Sequence, residues 1–237
     1  FQPFIIGQRM IGPRIASQFG VDLIFYGENQ AEYGNKIDEN YNTKMDKKFF
    51  TYKNLDELLF GGTKITEIIK NTEFTLNDFH CYLPLDDNRF KDLKLNYQYL
   101  GYYLKWDPQE CFYYASKHTG FKPNTERTEG SYSKYSSIDD KIDNFHYYTL
   151  LIKFGIGRAT NDAAQEIRNN KITRDEGIAL VKKFDHEFPK KYFKDFLEYI
   201  DITDSEFFKL IDKFRSPHLW VKNKDKWLLK KRIWEKN

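Results

Sequence analysis

The sequence predicts an α/β fold with a parallel sheet in the first half of the chain, followed by an all-α region. The first half opens with apolar residues at helical spacing over residues 8–19, and Gly20 then supplies a stop signal. A short run of β-prone apolar residues, 21–26, follows at once and ends at Gly27. Helix, tight turn and buried strand are the parts of an α/β unit with a parallel sheet.

The second half of the chain carries helical patterns to its end. Thr173 and Thr203 each begin a capping box, in which a glutamate three residues later can reach back to the cap. We expect every element of this half to be helical, with the basic tail 222–231 as a solvated closing segment. The chain thereby divides into two predicted parts, residues 1–120 and residues 121–237.

Two more helices and a second strand complete the elements predicted for the first half. Residues 63–70 are a short helix candidate, and the aromatic-rich run 97–106 is a strand candidate. Asp107 predicts a helix start, because it can cap the helix while Pro108 fits the first helical position. We expect that helix to end at Gly120.

A polar turn with two acids follows the first predicted strand. Residues 27–32 leave the carboxyl end of that strand, where open α/β sheets bind ligands. Gly27 permits a close approach of the backbone to a ligand, and carboxylates at such an edge are natural ligands for Mg²⁺. The alternative, which spacing by itself favours, is a polar turn with a capping Asn29.

The composition excludes several classes of protein. Hydrophobic residues make up 40% and charged residues 31%, as in an ordinary globular protein. The net charge is only +3, so the chain has no strong positive potential that would attract nucleic acid in general. Cys81 and Cys111 lie far apart, so a disulfide scaffold and a cysteine-rich zinc site are excluded within these residues and reduced cytoplasmic thiols are expected. No apolar run approaches the ~20 residues of a membrane span.

The predicted helix 138–154 carries a polar stripe opposite an apolar face. Five residues project within an arc of roughly 80°: Asp139, Asp143, His146, Lys153 and Gly157. A histidine beside a carboxylate is a common arrangement for a proton acceptor. The alternative is an exposed face with i,i+4 pairs, and spacing alone does not decide between the two interpretations.

Two further segments contain residues that could bind anions or sugars. Lys153 and Arg158 flank a glycine pair at a helix end, and the next helix, starting near Thr160, is expected to offer free N–H groups to a phosphate. The loop 126–134 carries four hydroxyl side chains that suit a sugar or a phosphate. The alternatives are a glycine-ended helix with surface cations and a plain flexible loop.

Long stretches of the chain resemble the N-acetyl sugar amidotransferases of bacterial surface-polysaccharide biosynthesis. The residues that carry the resemblance are 1–9, 24–29, 121–135, 137–143, 146–148, 153–160, 162–168 and 214–220. The longest similar run begins Ser-Ile-Asp-Asp-Lys-Ile-Asp at residue 137. The resemblance covers nearly the whole chain, and agreement over long stretches is more specific than a short pattern.

This resemblance implies an ATP pyrophosphatase of the adenine nucleotide alpha hydrolase-like fold, with a PP-loop that cradles phosphates. Such an enzyme uses ATP and Mg²⁺ to couple the acetamido oxygen of a nucleotide-linked N-acetyl sugar to AMP. Ammonia then displaces AMP and leaves an acetamidino group. The resemblance further implies a glutaminase subunit and a cyclase-like subunit that supply ammonia, a cytoplasmic location and no nucleic-acid partner.

The resemblance also implies roles for individual residues. Glu32 is similar to the last residue of a strand-end motif that helps hold Mg²⁺ in related NAD synthetases. The candidate catalytic residues are Glu28, His146 and Lys153. The candidate ligands of substrate or phosphate are Asn29, Glu129, Ser131, Lys141, Asp143 and Arg158.

The sequence departs from this family in one respect. No Ser-Gly-Gly-x-Asp-Ser pattern occurs, whereas the family carries such a PP-loop, and CxxC pairs that resemble a Zn²⁺ site, upstream of the similar region. We therefore expect the chain to be the carboxyl-terminal portion of such an enzyme and to release no pyrophosphate by itself. Two alternatives stay open: another PP-loop amidotransferase, such as a tRNA-modifying enzyme, and a sugar- or glutaminase-binding module without catalysis.

Overall fold

The computed structural model describes residues 2–28, 37–88 and 94–235, which fall into two compact units. The first unit is Phe1–Trp106 and the second is Asp107–Asn237. This division precedes the helix that Asp107 caps, whereas the predicted boundary near residue 120 follows that helix. The division of the chain into functional domains stays a prediction.

The first unit opens with a helix and a strand, as the α/β prediction requires. Its elements are α1 (Gln2–Phe19), β1 (Leu23–Tyr26), β2 (Thr51–Tyr52), β3 (Leu59–Phe60), β4 (Thr63–Lys64), α2 (Ile65–Asn71), β5 (Leu85–Asp86) and β6 (Asn96–Tyr99). β1 pairs in parallel with β6, with Leu23 opposite Asn96 and Tyr26 opposite Tyr99. A parallel pair at the predicted place supports a mixed α/β architecture with small sheets.

The core of this unit is rich in tyrosine and lies where α1 meets the β1–β6 pair. Met10 from α1 packs there with Tyr26, Tyr97 and Tyr99 from the two strands. β6 ends at Tyr99, so the strand predicted over residues 97–106 is too long. A turn follows instead, because the N–H of Tyr103 donates back to the carbonyl of Leu100 at 2.9 Å and thereby satisfies the backbone locally.

The second unit is helical except for a closing hairpin. Its elements are α3 (Pro108–His118), α4 (Asp143–Phe154), α5 (Arg158–Arg168), α6 (Arg174–Phe184), α7 (Phe193–Ile200), α8 (Asp204–Lys213), β7 (Trp220–Asn223) and β8 (Lys226–Leu229). The capping boxes predicted at Thr173 and Thr203 are confirmed. Asp107 caps α3 as predicted, since its carboxylate accepts from the N–H of Glu110 at 3.2 Å.

Two predictions for this unit are wrong. The helix predicted from residue 138 begins at Asp143, because Asp140 accepts from the N–H of Ile142 at 2.7 Å and holds the preceding segment in a turn. The tail is not helical, since β7 and β8 pair as an antiparallel hairpin. The buried Trp220 anchors that hairpin by donating from Nε1 to the carbonyl of Ile152 at 2.7 Å.

An aromatic core fixes the orientation of α4 within this unit. Phe145 is fully buried and stacks on Phe196 of α7 with ring centroids 4.3 Å apart. Ile152, two turns further along α4, lies in the same cluster together with Phe207 and Ile211 of α8. Because this face of α4 points inward, its polar face is turned toward the loops around α5. Throughout the three described segments, every helix is too short or too polar to span a bilayer.

Candidate functional site

The candidate site is a shallow hollow in the second unit. It forms where the loop 126–137 meets the first turns of α4 and α5 and the segment that follows α6. Its lining residues are Glu129, Gly130, Asn144, Tyr147, Tyr148, Arg158, Asp185, Glu187 and Pro189. The space at the hollow is about 220 Å³, which includes the open solvent at its mouth. Four segments distant in sequence therefore converge on one polar, aromatic-lined surface.

Arg158 is the central cation of the site. Its Nε donates to Asp162 at 3.1 Å, and its Nη1 donates to Ser137 at 2.8 Å and lies 3.5 Å from Asp143. The guanidinium carbon lies 4.1 Å from the centroid of the Tyr147 ring. Two carboxylates and an aromatic face therefore hold this guanidinium in a fixed position.

The structure brings two other predicted site residues, Ser131 and Asp143, together with this cation. Ser131 is fully buried and donates to Asp162, while Ser137 donates to Asp143. Asp143, Arg158 and Ser131 thus belong to one hydrogen-bonded network, which Asp162 completes. Ser131 faces the interior of the unit, so its hydroxyl supports the network from within.

Asp185 caps the start of α5. Its carboxylate accepts from the N–H of Gly157 at 3.1 Å and from the N–H and hydroxyl of Thr160 at 2.8 and 2.9 Å. The N–H of Ala159 donates to the carbonyl of Gly130 at 3.0 Å. The prediction of free N–H groups at this helix start is therefore wrong, because a buried carboxylate of the protein already occupies the anion position.

Gly157 is required by this close packing. A Cβ atom at residue 157 would lie 2.7 Å from a carboxylate oxygen of Asp185 and 2.8 Å from its backbone carbonyl oxygen. Both distances are well below van der Waals contact, so any side chain at residue 157 would displace the cap. The glycine pair that looked like an anion motif in the sequence is thus a packing requirement at its second position.

Glu187 orders the loop 126–137. It accepts two hydrogen bonds from Arg127, at 2.6 and 2.7 Å, and a third from the N–H of Gly130 at 2.9 Å. The bond from Arg127 is the chief reason that the pKa of Glu187 lies below its ordinary value. Gly130 has a φ of +80°, a conformation that favours glycine. The loop is consequently a fixed wall of the hollow.

The hydroxyl groups of this loop form hydrogen bonds with other groups of the protein. Thr128 donates to the carbonyl of Ser136 at 2.7 Å, Tyr132 donates to Glu166 at 2.9 Å, and Ser133 bonds the hydroxyl of Ser136 at 3.0 Å. These bonds make the loop an ordered element, which corrects the alternative of a plain flexible loop.

The other predicted site residues lie in separate places. Glu129 lines the hollow and accepts from the N–H groups of Lys190 and Lys191 at 3.0 and 3.1 Å. Lys141 is exposed and pairs with Asp195 at 3.1 Å, and Lys153 is exposed over the ring of Phe154. Glu28 belongs to the first unit, where it accepts from Gln8 at 2.8 Å. Asn29 and Glu32 lie outside the described residues.

His146 is partly buried one turn after Asp143. Burial is the main reason that the pKa of His146 lies below the ordinary histidine value of 6.5, and the nearby Asp143 carboxylate opposes this shift in part. The imidazole is therefore mostly neutral at pH 7 and has a nitrogen able to accept a proton. This is the state that a general base requires.

No metal site is evident in residues 2–28, 37–88 and 94–235. No group of three or more His, Cys, Asp or Glu side chains there has an arrangement that could hold a metal ion. The Mg²⁺ ligand expected from the sequence, Glu32, lies outside these residues, so its role stays a prediction.

Some lining residues were missed from the sequence. Asn144, Tyr147 and Tyr148 share one face of α4 at i, i+3 and i+4 spacing, and that spacing was available as a signal. The stripe chosen from the sequence centred on the neighbouring face instead. Asp185 and Glu187 had no local signal, because Asp185 lies 28 residues from the Gly157 N–H that it accepts from.

Glu166 supports the site from within and supplies a test of its electrostatics. Burial raises the pKa of Glu166, although the bond from Tyr132 acts in the opposite direction. The folded chain therefore binds a proton more tightly than the unfolded chain, and the free energy of unfolding falls as pH rises above the ordinary value of 4.5. We expect Glu166→Gln, which can still accept from Tyr132, to raise the melting temperature at pH 7 and to leave it nearly unchanged at pH 4.

The matched control for this prediction is Glu198→Gln, on the exposed side of α7. It should leave the pH dependence of melting as it was. Thermal melts of the three proteins across pH 4 to 8 make the measurement. A loss of stability for Glu166→Gln at pH 7 that is absent at pH 4 would show that the charge of Glu166 is needed, and would contradict the prediction.

A comparison with protein families identifies a relative of the second unit. Residues 129–233 match the model described as "LPS biosynthesis protein WbpG-like, C-terminal domain". This span contains every residue that lines the hollow. A search of curated proteins gave no match. The second unit is thus similar to the carboxyl-terminal region of a protein of lipopolysaccharide biosynthesis.

Proposed function

We propose that the protein acts in lipopolysaccharide biosynthesis as part of an ATP-dependent amidotransferase. Its reaction converts the acetamido group of a nucleotide-linked N-acetyl sugar into an acetamidino group. One observation carries the proposal: the hollow is built within residues 129–233, the span that is similar to the WbpG-like domain. Residues 137–168 resemble the amidotransferases most extensively. They contain the first turns of α4 and α5, which meet at the hollow.

The chemistry explains the need for ATP. An amide oxygen is a poor leaving group, so the acetamido oxygen attacks the α-phosphorus of ATP and pyrophosphate departs. Ammonia then adds to the activated carbon, AMP leaves with the oxygen, and the nitrogen loses a proton. A site of this kind must accept that proton and exclude water, so that ammonia is the nucleophile.

The described residues fit parts of this chemistry. His146 is the proposed proton acceptor, because its imidazole is mostly neutral at pH 7 and Asp143 lies close to it. Arg158 is the proposed anchor of the site, and Lys153, exposed near the end of α4, is the proposed contact for phosphate. Glu28 and Asn29 are proposed to act at the strand end, where Glu32 would hold Mg²⁺.

Two partners belong to the same proposal. Free ammonia is scarce at neutral pH because most of it is protonated, so a glutaminase subunit is proposed as the source of ammonia. A cyclase-like subunit is proposed to pass the ammonia on. Both partners come from the resemblance in sequence, and co-purification of the complete protein with them would support it.

Product analysis tests the proposed reaction. The complete protein, with ATP, Mg²⁺, ammonium and an N-acetyl sugar nucleotide, should release pyrophosphate. The sugar should exchange its acetamido oxygen for NH and gain one positive charge, which mass spectrometry and electrophoresis detect. We expect residues 1–237 alone to give neither product, because no PP-loop pattern occurs in them. Absence of both products from the complete protein and its partners would refute the reaction.

A binding module without catalysis is the second candidate function. Arg158, Glu129 and Glu187 already have hydrogen-bond partners within the chain. This pairing favours binding over catalysis, because these charged groups are not free to react with a substrate. Under this alternative, residues 1–237 bind a sugar nucleotide or a glutaminase as tightly as the complete protein does. Calorimetric titration with each ligand separates this outcome from the amidotransferase proposal when it is combined with the product analysis.

A further inference from the structure

The charged groups that line the hollow are bonded within the chain. Arg158 is held by Asp143 and Asp162, and Glu187 is held by Arg127. The carboxylate of Glu129 accepts two backbone N–H groups, and that of Asp185 accepts two more. The single cation in the lining is therefore already neutralised by two acids. A surface of this kind has little attraction for a phosphate.

The Asn144 amide is a polar group of the lining that remains available. Asn144 is the second residue of α4 and is partly exposed at the hollow. Among residues 2–28, 37–88 and 94–235, none hydrogen-bonds its side chain. An asparagine amide carries two N–H donors and a carbonyl acceptor, so it can bond a hydroxyl or an amide in either sense.

Aromatic rings stand beside this amide on the same face of α4. Tyr147 and Tyr148 lie one turn further along the helix and line the hollow with Asn144. Arg158 covers Tyr147 at 4.1 Å, and Tyr148 packs edge-on against Phe188 with ring centroids 5.0 Å apart. Both rings are therefore fixed in place, and they give the hollow an apolar wall next to a hydrogen-bonding amide. An amide beside rigid aromatic rings suits a neutral ligand with both C–H and hydroxyl surfaces.

The shape of the hollow limits the ligand. It is a shallow depression, and its volume of about 220 Å³ includes the open solvent at its mouth. Pockets that enclose a whole small molecule are deep clefts, so this hollow contacts one side of a ligand and cannot enclose a sugar nucleotide. Together with the paired charges, this open shape favours contact with one neutral sugar ring over the nucleotide and its phosphates.

We propose that Asn144 is a specificity-determining residue that hydrogen-bonds the hydroxyl or acetamido groups of a neutral sugar ring lying against this hollow. The Tyr147 and Tyr148 rings support the apolar side of that sugar, and the phosphates of the nucleotide lie outside the hollow. The assignment rests on the proposed function, because it places one part of that substrate.

Direct binding to residues 1–237 tests the assignment. The probes are the methyl glycoside of N-acetylglucosamine, which is a neutral sugar, and UMP, which carries the nucleoside and a phosphate without the N-acetyl sugar. Saturation-transfer NMR should detect the glycoside, and Asn144→Ala should weaken its binding about tenfold, the effect of losing one or two hydrogen bonds. UMP should not displace the glycoside.

Two further variants control for folding and for surface effects. Asn144→Asp keeps the size of the side chain and suits the first turn of a helix, but removes both donors, so it should fold and bind the glycoside weakly. Asn71→Ala, at the exposed end of α2, should bind as the unsubstituted chain does. Unchanged glycoside binding by both Asn144 variants would overturn the proposal, and so would displacement of the glycoside by UMP or failure of the unsubstituted chain to bind it.

The complete enzyme distinguishes this inference from the proposed function. If Asn144 variants of the complete enzyme form amidine with an unchanged KM for the sugar nucleotide, the residue assignment fails while the reaction stands. If residues 1–237 bind the glycoside through Asn144 but the complete enzyme forms no amidine, the sugar site stands and the reaction fails.

Discussion

Replacing His146 by glutamine in the complete enzyme is expected to lower amidine formation by ~10²–10⁴-fold, the usual contribution of a general base. The reason is that ammonia must lose a proton as it becomes the amidine nitrogen. His146 is the titratable side chain of the α4 stripe that is mostly neutral at pH 7, because burial keeps its pKa below 6.5. Glutamine keeps similar size and polarity but does not accept a proton at this pH.

The pH dependence of the reaction provides the sharper measurement. Activity of the unsubstituted enzyme should rise with pH through the pKa of His146, which lies below 6.5, and then level off. His146→Gln should lack this acidic limb. The control is His186→Gln, because burial also lowers the pKa of His186, whose ring lies against Trp220 and Trp234. Near-normal turnover by His146→Gln would assign His146 a structural role.

Replacing Arg158 by methionine is expected to destabilise the chain by about 2–4 kcal/mol, somewhat below the cost of breaking a fully buried ion pair. The side chain of Arg158 is only 13% exposed, and its partners Asp143 and Asp162 are 27% and 15% exposed. Its removal leaves two neighbouring carboxylates without a cation and without most of the solvent that would screen them. Methionine preserves much of the volume of the side chain, so the loss reports on charge more than on packing.

Urea unfolding followed by circular dichroism measures this loss. The double variant Arg158→Met with Asp162→Asn should recover part of it, because one of the two stranded charges is removed. Lys194→Met is the control, since Lys194 and Glu198 form an ion pair whose side chains are 90% and 71% exposed. An unfolding midpoint for Arg158→Met equal to that of the control would contradict a structural role for the network.

Local signals predicted the local elements well. The cap at Asp107 and the boxes at Thr173 and Thr203 were legible in the sequence, because each depends on side chains within three residues of the helix start. The end of the first helix at Phe19 and the strand β1 were also predicted, whereas that helix begins at Gln2 and not at residue 8. The closing hairpin was not, because Trp220 holds it against the carbonyl of Ile152, which is 68 residues away in sequence.

The candidate site was predictable in part. Asp143 and Arg158 were singled out from the sequence, and the structure joins them. Their shared partner Asp162 was not chosen, although the spacing of Arg158 and Asp162 is that of an i,i+4 ion pair. The expected phosphate position at α5 proved to be filled by Asp185, a residue that carries no signal of this role in its own neighbourhood.

The sequence by itself determined most of the helices and the first strand, since caps, glycine stops and apolar periodicity act over a few residues. It also determined the resemblance from which the amidotransferase reaction was inferred. Only the tertiary structure decided which charges neutralise one another and which polar groups face the hollow. The physical reason is that Asp185 and Glu187 acquire their neighbours from packing between segments distant in the chain, and no periodicity within one segment encodes such a contact.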